Sequence, residues 1–300
     1  MTVEWLLAKT GERPAAASLT DLIRSPGATP VAGVFDGMSA LLAKEAGFQS
    51  LYVSGAGLSA SRALPDLGLL TMEEVVTSTR DVVRASGLPV IVDCDTGFGE
   101  ALNVMRVVRE LEAIGAACIQ IEDQRFPKKC GHLNDKQLIP TVDMCRKIEA
   151  ARRAASSMLI CARTDAADSS LDDAVARARS YAEAGADIIF VEALSNLDMI
   201  ERVRAAVDAP LLANMTEFGR TPYLSTQKWG DLGYELVIYP VSGFRVAAQA
   251  LKSLYKDLMT NGEVGSQIDN MMSRAELYDT IRYYDYEECD TSIARTVLKS

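Results

Sequence analysis

The sequence predicts an α/β protein of the (β/α)8 barrel class. Three observations carry that expectation. From residue 30 a unit recurs: a short apolar run, a polar or glycine-rich turn, then a helical pattern. Eight such runs are present, at 31–34, 50–53, 90–92, 118–121, 159–162, 188–191, 211–213 and 236–238. The runs are continuously apolar rather than alternating, which marks strands buried on both faces, as in a parallel sheet. Eight strand-then-helix units favour a closed barrel over a doubly wound sheet. With no linker or composition shift, residues 1–300 are expected to form a single barrel domain, with an N-terminal lead-in helix and a C-terminal helical extension at about 262–300.

The elements follow in order. Residues 1–29 form the lead-in, with a short helix near 19–24 ended by Ser25-Pro26-Gly27. Thr71-Met72-Glu73-Glu74 reads as a capping box, as does Ser273-Arg274-Ala275-Glu276. Ser170 precedes Asp172 and Asp173, and Ser195 precedes Asp198, placing acids in first turns where the helix dipole favours them. Gly47, Gly87, Gly115 and Gly185 stand where helices stop before the next strand. After the eighth strand about 60 residues remain, more than one closing helix needs. They predict a helix at 246–259 and a second near 274–284, followed through an aromatic tail, RYYDYEE. The second has no barrel core left to join, so it should pack on the outside or on a neighbouring subunit.

The net charge of −10 argues against nucleic acid or an anionic membrane as partner. No stretch approaches the ~20 apolar residues of a membrane span. The N-terminus has no basic region followed by an apolar core, so no leader is read and a cytoplasmic location is expected. The six cysteines lack CxxC spacing, which fits reduced thiols rather than a disulfide framework or zinc site.

Barrel active sites form at strand C-termini, and here those ends are polar. Strand two ends on Tyr52, Ser54 and Gly55; strand three on Asp93 and Asp95; strand four on Glu122 and Asp123; strand five on Arg163, Thr164 and Asp165; strand six on Glu192; strand seven on Asn214, Thr216 and Glu217. Asp165 and Thr216 would each be explained as helix caps; convergence of the whole set on one rim is not. Asp93 and Asp95, two apart, share a face. With Glu122 near, they suit a hard cation, and Mg²⁺ fits better than zinc because one histidine and no cysteine pair leave few soft ligands. Arg163, Arg245 and Arg274 suit substrate carboxylates. The stretch IQIEDQRFPKKCGH (119–132) joins strand four to a loop in which Lys128, Lys129, Cys130, Gly131 and His132, the sole histidine, are consecutive. Two cations and an imidazole beside a thiol favour its thiolate.

The motifs VDCDTGFG (92–99), IEDQ (121–124), KKCGH (128–132) and NMTEFG (214–219), with SGAGLSASRALPDLG (54–68) and SRAELYDTIRYYDYEE (273–288), resemble the isocitrate lyase and phosphoenolpyruvate mutase superfamily, most closely its 2-methylisocitrate lyase branch. The likeness runs from about residue 18 to about 290. It departs at Ala56, where the branch has glycine, and at Lys129, where arginine is common. The resemblance implies a barrel whose late helix swaps between subunits of a homodimer or homotetramer. It implies Mg²⁺, or Mn²⁺, on Asp93 and Asp95, with Asp66 and Glu122 in or near its water shell. It implies a substrate site of Tyr52, Ser54, Gly55, Ala56, Gly131, Arg163, Glu192, Asn214, Thr216, Arg245 and, from the swapped region, Arg274.

The implied reaction cleaves a 2-hydroxy tricarboxylate to pyruvate and succinate. Cys130 would protonate the carbanion, and Glu122 or a metal-bound water would take the hydroxyl proton. The loop from 124 to 140 would close as a lid and bring Lys128, Lys129 and His132 onto the substrate carboxylates and the thiol. Related activities within the superfamily are a 2,3-dimethylmalate lyase, an oxaloacetate-cleaving enzyme and a carboxyphosphonoenolpyruvate mutase. Glu217, Phe218, Arg220 and the Arg274 helix favour the tricarboxylate. A barrel that has lost catalysis is the alternative of a different class.

Overall fold

The computed structural model describes Leu6 and residues 15–133 and 135–293. Most of the N-terminal stretch read for a leader, together with Asn134 of the lid and residues 294–300, lies outside the described residues. Eight parallel strands close into a barrel in chain order: β1 Thr29–Val34, β2 Leu51–Val53, β3 Val90–Asp93, β4 Cys118–Glu122, β5 Leu159–Thr164, β6 Ile188–Val191, β7 Leu211–Asn214 and β8 Leu236–Tyr239. Closure is made by β8 on β1, with Thr29 beside Leu236 and Ala32 beside Tyr239. The strands are where the apolar runs predict them. β3, β4 and β6 are buried along their whole length, because helices cover one face and the barrel lumen the other.

The two faces of the strands enter two separate clusters. Ala32, Val53, Val92, Ile119, Ile160, Ile189 and Val237 belong to the layer shared with the helices. Val31, Tyr52, Ile91, Cys118, Cys161, Ile188, Phe190, Leu212, Leu236 and Ile238 form the lumen. Leu19 of α1 (Ala15–Arg24), fully buried, joins the lumen cluster. The strand period of two then carries inward parity from Ile91 to Asp93, from Cys118 to Gln120 and Glu122, from Cys161 to Arg163, from Phe190 to Glu192 and from Leu212 to Asn214. The inward face of β3 to β7 is therefore apolar at the bottom of the barrel and polar at its mouth.

The helices after β1 to β7 are α2 (Gly37–Glu45), α3 (Gly55–Ser61) with α4 (Met72–Ser86), α5 (Ala101–Ala113), α6 (Thr141–Ala154), α7 (Leu171–Glu183), α8 (Leu197–Ala206) and α9 (Thr226–Asp231). The capping box at Thr71 and Glu74 forms, and Ser170 caps α7 by accepting from Asp173 N. The cap of α8 is Asn196 rather than Ser195. Asn196 accepts from Met199 N, while the Ser195 hydroxyl turns to Met199 Sδ.

The chain divides after Val246 into the barrel unit and a second compact unit containing residues from Ala247 onward. α10 (Ser242–Asn261) begins in the first and runs through the second. The single helix expected near 274–284 is two helices, α11 (Arg274–Thr280) and α12 (Tyr283–Ser292). Arg282 separates them with φ +59°, a left-handed backbone that no helix continues through. The Ser273–Glu276 capping box starts α11 as expected.

Candidate active site at the barrel mouth

Asp93, the last residue of β3, points inward and is held from three directions. Its Oδ2 accepts from Gly55 N at 3.1 Å, and its Oδ1 accepts from Asp95 N at 3.2 Å and Gln120 Nε2 at 3.3 Å. Gln120 in turn accepts from the Tyr52 hydroxyl at 2.8 Å. Tyr52 thus lies in the lumen beneath the acids, 2% exposed, and reaches the mouth only through Gln120. Asp95 has φ +47°, a strained conformation that Asp tolerates better than most residues. That turn brings its carboxylate beside Asp93. A Cβ placed on Gly55 would lie 3.2 Å from both Asp93 Oδ2 and Asp95 Oδ1, so the two oxygens converge beside this glycine. Ser54, which precedes it, caps α3 through Gly57 N and is buried; Ala56 is half-buried in the first turn.

Glu122 and Arg163 are cross-strand neighbours. Arg163 sits among three carboxylates. Asp165 grips it with two bonds, Nε to Oδ2 at 2.9 Å and Nη2 to Oδ1 at 3.0 Å, while Nη1 lies 3.3 Å from Glu122 Oε2 and 3.4 Å from Glu192 Oε2. Its guanidinium also lies over the Phe190 ring, 5.2 Å from the centroid. Asp165 is therefore more than a cap: its carboxylate fixes the arginine. Burial would raise its pKa, but Arg163 and Lys136 reverse that and hold it below the usual range. Burial pushes Glu122 well above the carboxylate range despite Arg163, and Glu122 Oε1 is buried with no hydrogen-bond partner. Asn214 Nδ2 donates to Glu192 Oε2 at 3.2 Å, and Thr216 N to Asn214 Oδ1 at 3.0 Å.

Asp123 departs from the rim reading. One residue after Glu122, it turns outward by strand parity and is fully buried behind the barrel wall. It accepts from Asp165 N at 3.0 Å, Thr164 Oγ1 at 2.7 Å, the Tyr181 hydroxyl at 2.8 Å and Arg177 Nη1 at 3.2 Å. It ties β4, β5 and α7 together.

The loop after β4 is folded over the mouth. Its base is fixed by Gln124, which exchanges two bonds with the backbone of Lys129, at 2.8 and 2.9 Å, and pairs with Leu138. Lys128, 4% exposed, puts its ammonium 2.8 Å from Asp95 Oδ1 and against Asp66. Burial works against that charge, but Asp95, Glu122, Asp66 and Asp93 outweigh it and hold its pKa above the usual lysine value. Asp95 is pushed up to about 6 by burial, against the pull of Lys128. Gly131 seats on the rim so closely that a Cβ there would lie 2.3 Å from Arg163 Nη2 and 2.4 Å from Glu192 Cγ. His132 Nε2 is 3.4 Å from Glu192 Oε1, and its Nδ1 accepts from Arg220 N at 3.1 Å. Lys129 reaches the Asp135 carbonyl at 3.4 Å. Lys128, Lys129 and His132, the neighbours of Cys130 in the loop, thus each have an oxygen or backbone partner of their own. Cys130 is half-exposed, whereas Cys94, Cys118 and Cys161 are buried and burial pushes those thiols up.

The carboxylates expected to share one ion are split. Asp93 and Asp95 converge, Asp66 faces Lys128, and Glu122 faces Arg163; among the described residues no three acids close on one point. Two carboxylates with water and substrate oxygens suffice for Mg²⁺. The convergent Asp93 and Asp95 oxygens, braced by Gln120 and Gly55 N, and the unpartnered Glu122 Oε1 fit such an ion. Arg245, in the first turns of α10, donates to the Glu217 carbonyl at 2.7 Å and to Glu217 Oε2 at 3.0 Å. Arg274 opens α11 in the second unit and is exposed. A cavity of 680 Å³ lies outside the acids, beside the lid base, among Leu70, Phe98, Gln124, Phe126 and Lys147. Gln120 and Lys136 are absent from the sequence reading of the site. Gln120 carries a signal, a polar residue at inward parity in an apolar run; Lys136 carries none.

The sequence model of a family described as phosphoenolpyruvate phosphomutase matches residues 19–259. A 2-methylisocitrate lyase of Bacillus subtilis (strain 168) is 47% identical over 99% of this chain and 99% of its own. A 2-methylisocitrate lyase of Aeropyrum pernix is 48% identical over 95% of this chain and 92% of its own. The crystal structure of 2,3-dimethylmalate lyase, a PEP mutase/isocitrate lyase superfamily member, superposes with TM-score 0.88 at 32% identity, covering 94% of this chain and 96% of that one.

Proposed function

The chain belongs to the phosphoenolpyruvate mutase/isocitrate lyase family, and we propose that it is the member that cleaves 2-methylisocitrate to pyruvate and succinate. The observation that carries the reading is the KKCGH loop folded onto Arg163 and Glu192, above the Asp93–Asp95 pair. Identity of 47% to a 2-methylisocitrate lyase over nearly the whole of both chains supports it.

Asp93 and Asp95 would hold a divalent metal, Mg²⁺ or Mn²⁺, with Asp66 and Glu122 beside it. Bound there, it would act as a Lewis acid on the substrate's 2-hydroxy oxygen as that becomes the 2-oxo group. Glu122, through its unpartnered Oε1, takes the hydroxyl proton. The bond between the hydroxyl-bearing carbon and the adjacent carboxylate-bearing carbon breaks. The oxygen's electron pair forms the carbonyl of pyruvate, and the bond's pair stays on the other fragment, alpha to a carboxylate. Cys130 delivers its thiol proton to that carbon, giving succinate. Arg163, held rigid by Asp165, offers its remaining N–H groups to a substrate carboxylate. Ser54, Gly55, Ala56, Gly131, Glu192, Asn214 and Thr216 line the bound substrate, Tyr52 braces Asp93 through Gln120, and Lys128 and His132 close the charge pattern. Arg245 and, contributed by the swapped region of a neighbouring subunit, Arg274 would supply the further cations that a tricarboxylate needs. The lid excludes water from the carbanion.

The assembly is proposed to be a homodimer or homotetramer with swapped late helices. α10 has no buried residue along its length and exposes Val246, Leu251, Tyr255, Leu258 and Met259. Among the described residues no helix is long and apolar enough to cross a membrane. Six free cysteines fit a reducing, cytoplasmic setting.

The test is cleavage by the purified protein of 2-methylisocitrate, isocitrate, 2,3-dimethylmalate and oxaloacetate, with Mg²⁺ and with chelator, read as release of the product each must give: pyruvate from the first and third, glyoxylate from isocitrate and oxalate from oxaloacetate. The expected result is release from 2-methylisocitrate, abolished by chelator and lowered about 10²–10⁴-fold by Cys130→Ser. Release from 2,3-dimethylmalate alone would reassign the substrate, and no release from any of them would overturn the reading.

A further inference from the structure

Lys136 lies on the returning limb of the lid, and its side chain is 3% exposed. Lysines are almost never so buried, because an ammonium removed from water is costly unless its donors are met. An ammonium has three donors and no acceptor. Lys136 Nζ meets three oxygens: Asp165 Oδ1 at 3.2 Å, Asp168 Oδ2 at 3.0 Å, and the Gly131 carbonyl. The first two belong to the segment that follows β5, on the barrel rim. The third belongs to the turn that carries Cys130.

We infer that Lys136 is a positioning residue that latches the 130–132 turn to the β5 rim and so sets where the Cys130 thiol stands. Two contacts beyond Lys136 itself support this. Asp165 is the same carboxylate that grips Arg163, so lid anchor and substrate-facing guanidinium share one rigid group. Asp168 also accepts from the Arg220 guanidinium, and Arg220 N donates to His132 Nδ1. Gly131 and His132, adjacent in the turn, are therefore both tied to the segment after β5, one through Lys136 and the other through Arg220. The latch is also reversible. When the latch opens, Lys136 passes into water, Asp165 keeps Arg163 and Asp168 keeps Arg220, so no buried charge is stranded at this anchor. Lifting the whole lid costs in addition the contacts of Lys128 with Asp66 and Asp95 and of His132 with Arg220 N.

The catalytic part of the test rests on the lyase reading above; the exchange part does not. Amide hydrogen exchange, read by mass spectrometry on the full chain without ligand, compares wild type with Lys136→Met, Lys136→Arg and Asp168→Asn. In Lys136→Met, peptides spanning 128–136 should exchange at least about 10-fold faster, with barrel-strand peptides unchanged. Its kcat on 2-methylisocitrate should fall roughly 10²-fold with little change in KM, because the thiol is misplaced rather than the substrate unbound. Lys136→Arg should recover part of both. Asp168→Asn, which leaves the Arg163–Asp165 pair in place, should move the same peptides in the same direction by less. Exchange of 128–136 within about twofold of wild type in a folded Lys136→Met protein overturns the latch. Should that variant fail to fold, unchanged exchange in Asp168→Asn overturns it equally. A protein inactive on every substrate of the panel, yet showing the exchange change, would keep the latch and lose the substrate.

Discussion

Gly131 has no space for a side chain, since a Cβ would stand 2.3 Å from Arg163 Nη2. That guanidinium cannot retreat, because Asp165 holds two of its nitrogens. Gly131→Ala should therefore push the lid outward rather than disturb the barrel. The expected outcome is a kcat/KM lowered about 10²-fold, with a melting temperature within a few degrees of wild type, measured side by side. At this scale the strand period was the legible signal. Asp93, Arg163, Glu192 and Asn214 share inward parity with an apolar residue two positions earlier, and Glu122 with Cys118 four positions earlier. The same rule turns Asp123 outward, where it bonds Thr164, Tyr181 and Arg177 instead of substrate. Lys136 was not legible, because a loop lysine acquires meaning only when folding brings two distant aspartates to it.

Glu112, in the last turn of α5, shows how an element junction is fixed. Its carboxylate accepts from the backbone N–H of Ser156 at 3.0 Å, Ser157 at 2.6 Å and Met158 at 3.0 Å, just before β5 begins. Partial burial would raise its pKa, but these bonds outweigh it and bring the value down to about 2. A carboxyl lowered in the folded state stabilises the fold above its unfolded pKa of about 4.3 and loses that contribution as pH falls toward 2. Glu112→Gln should cost about 1–3 kcal/mol in urea unfolding at pH 7, and the gap from wild type should narrow by pH 3. An equal gap at both pH values would refute the charge-based account. Helix starts at Thr71, Ser170 and Ser273 were readable because capping is local chemistry. The break at Arg282 was not, since arginine carries no local signal for a positive φ.

For the whole molecule, the unsettled surface is α10. A 20-residue amphipathic helix with no buried position is expected to find a partner, and the apolar residues it exposes suit a second copy of the chain. Light scattering after gel filtration should give a dimer or tetramer for the wild type. Leu251→Asp with Tyr255→Asp should shift it to a smaller species, and a wild-type monomer would remove the swapped-helix proposal. The lumen end of the molecule is settled differently, by Leu19 of α1 among the lowest barrel side chains.

The amino-acid sequence alone determined the barrel, its eight strands and the identity of nearly all the rim residues, because burial periodicity, capping and glycine stops act over a few neighbours. It could not decide which of those polar side chains meet. The meeting of Arg163 with Glu122 and Glu192, the passage of Lys128 onto Asp66 and Asp95, and the three-oxygen seat of Lys136 join residues from different strands and loops. Only closure of the barrel brings those groups within bonding distance, and only burial there makes each unmet charge costly enough to dictate its partner.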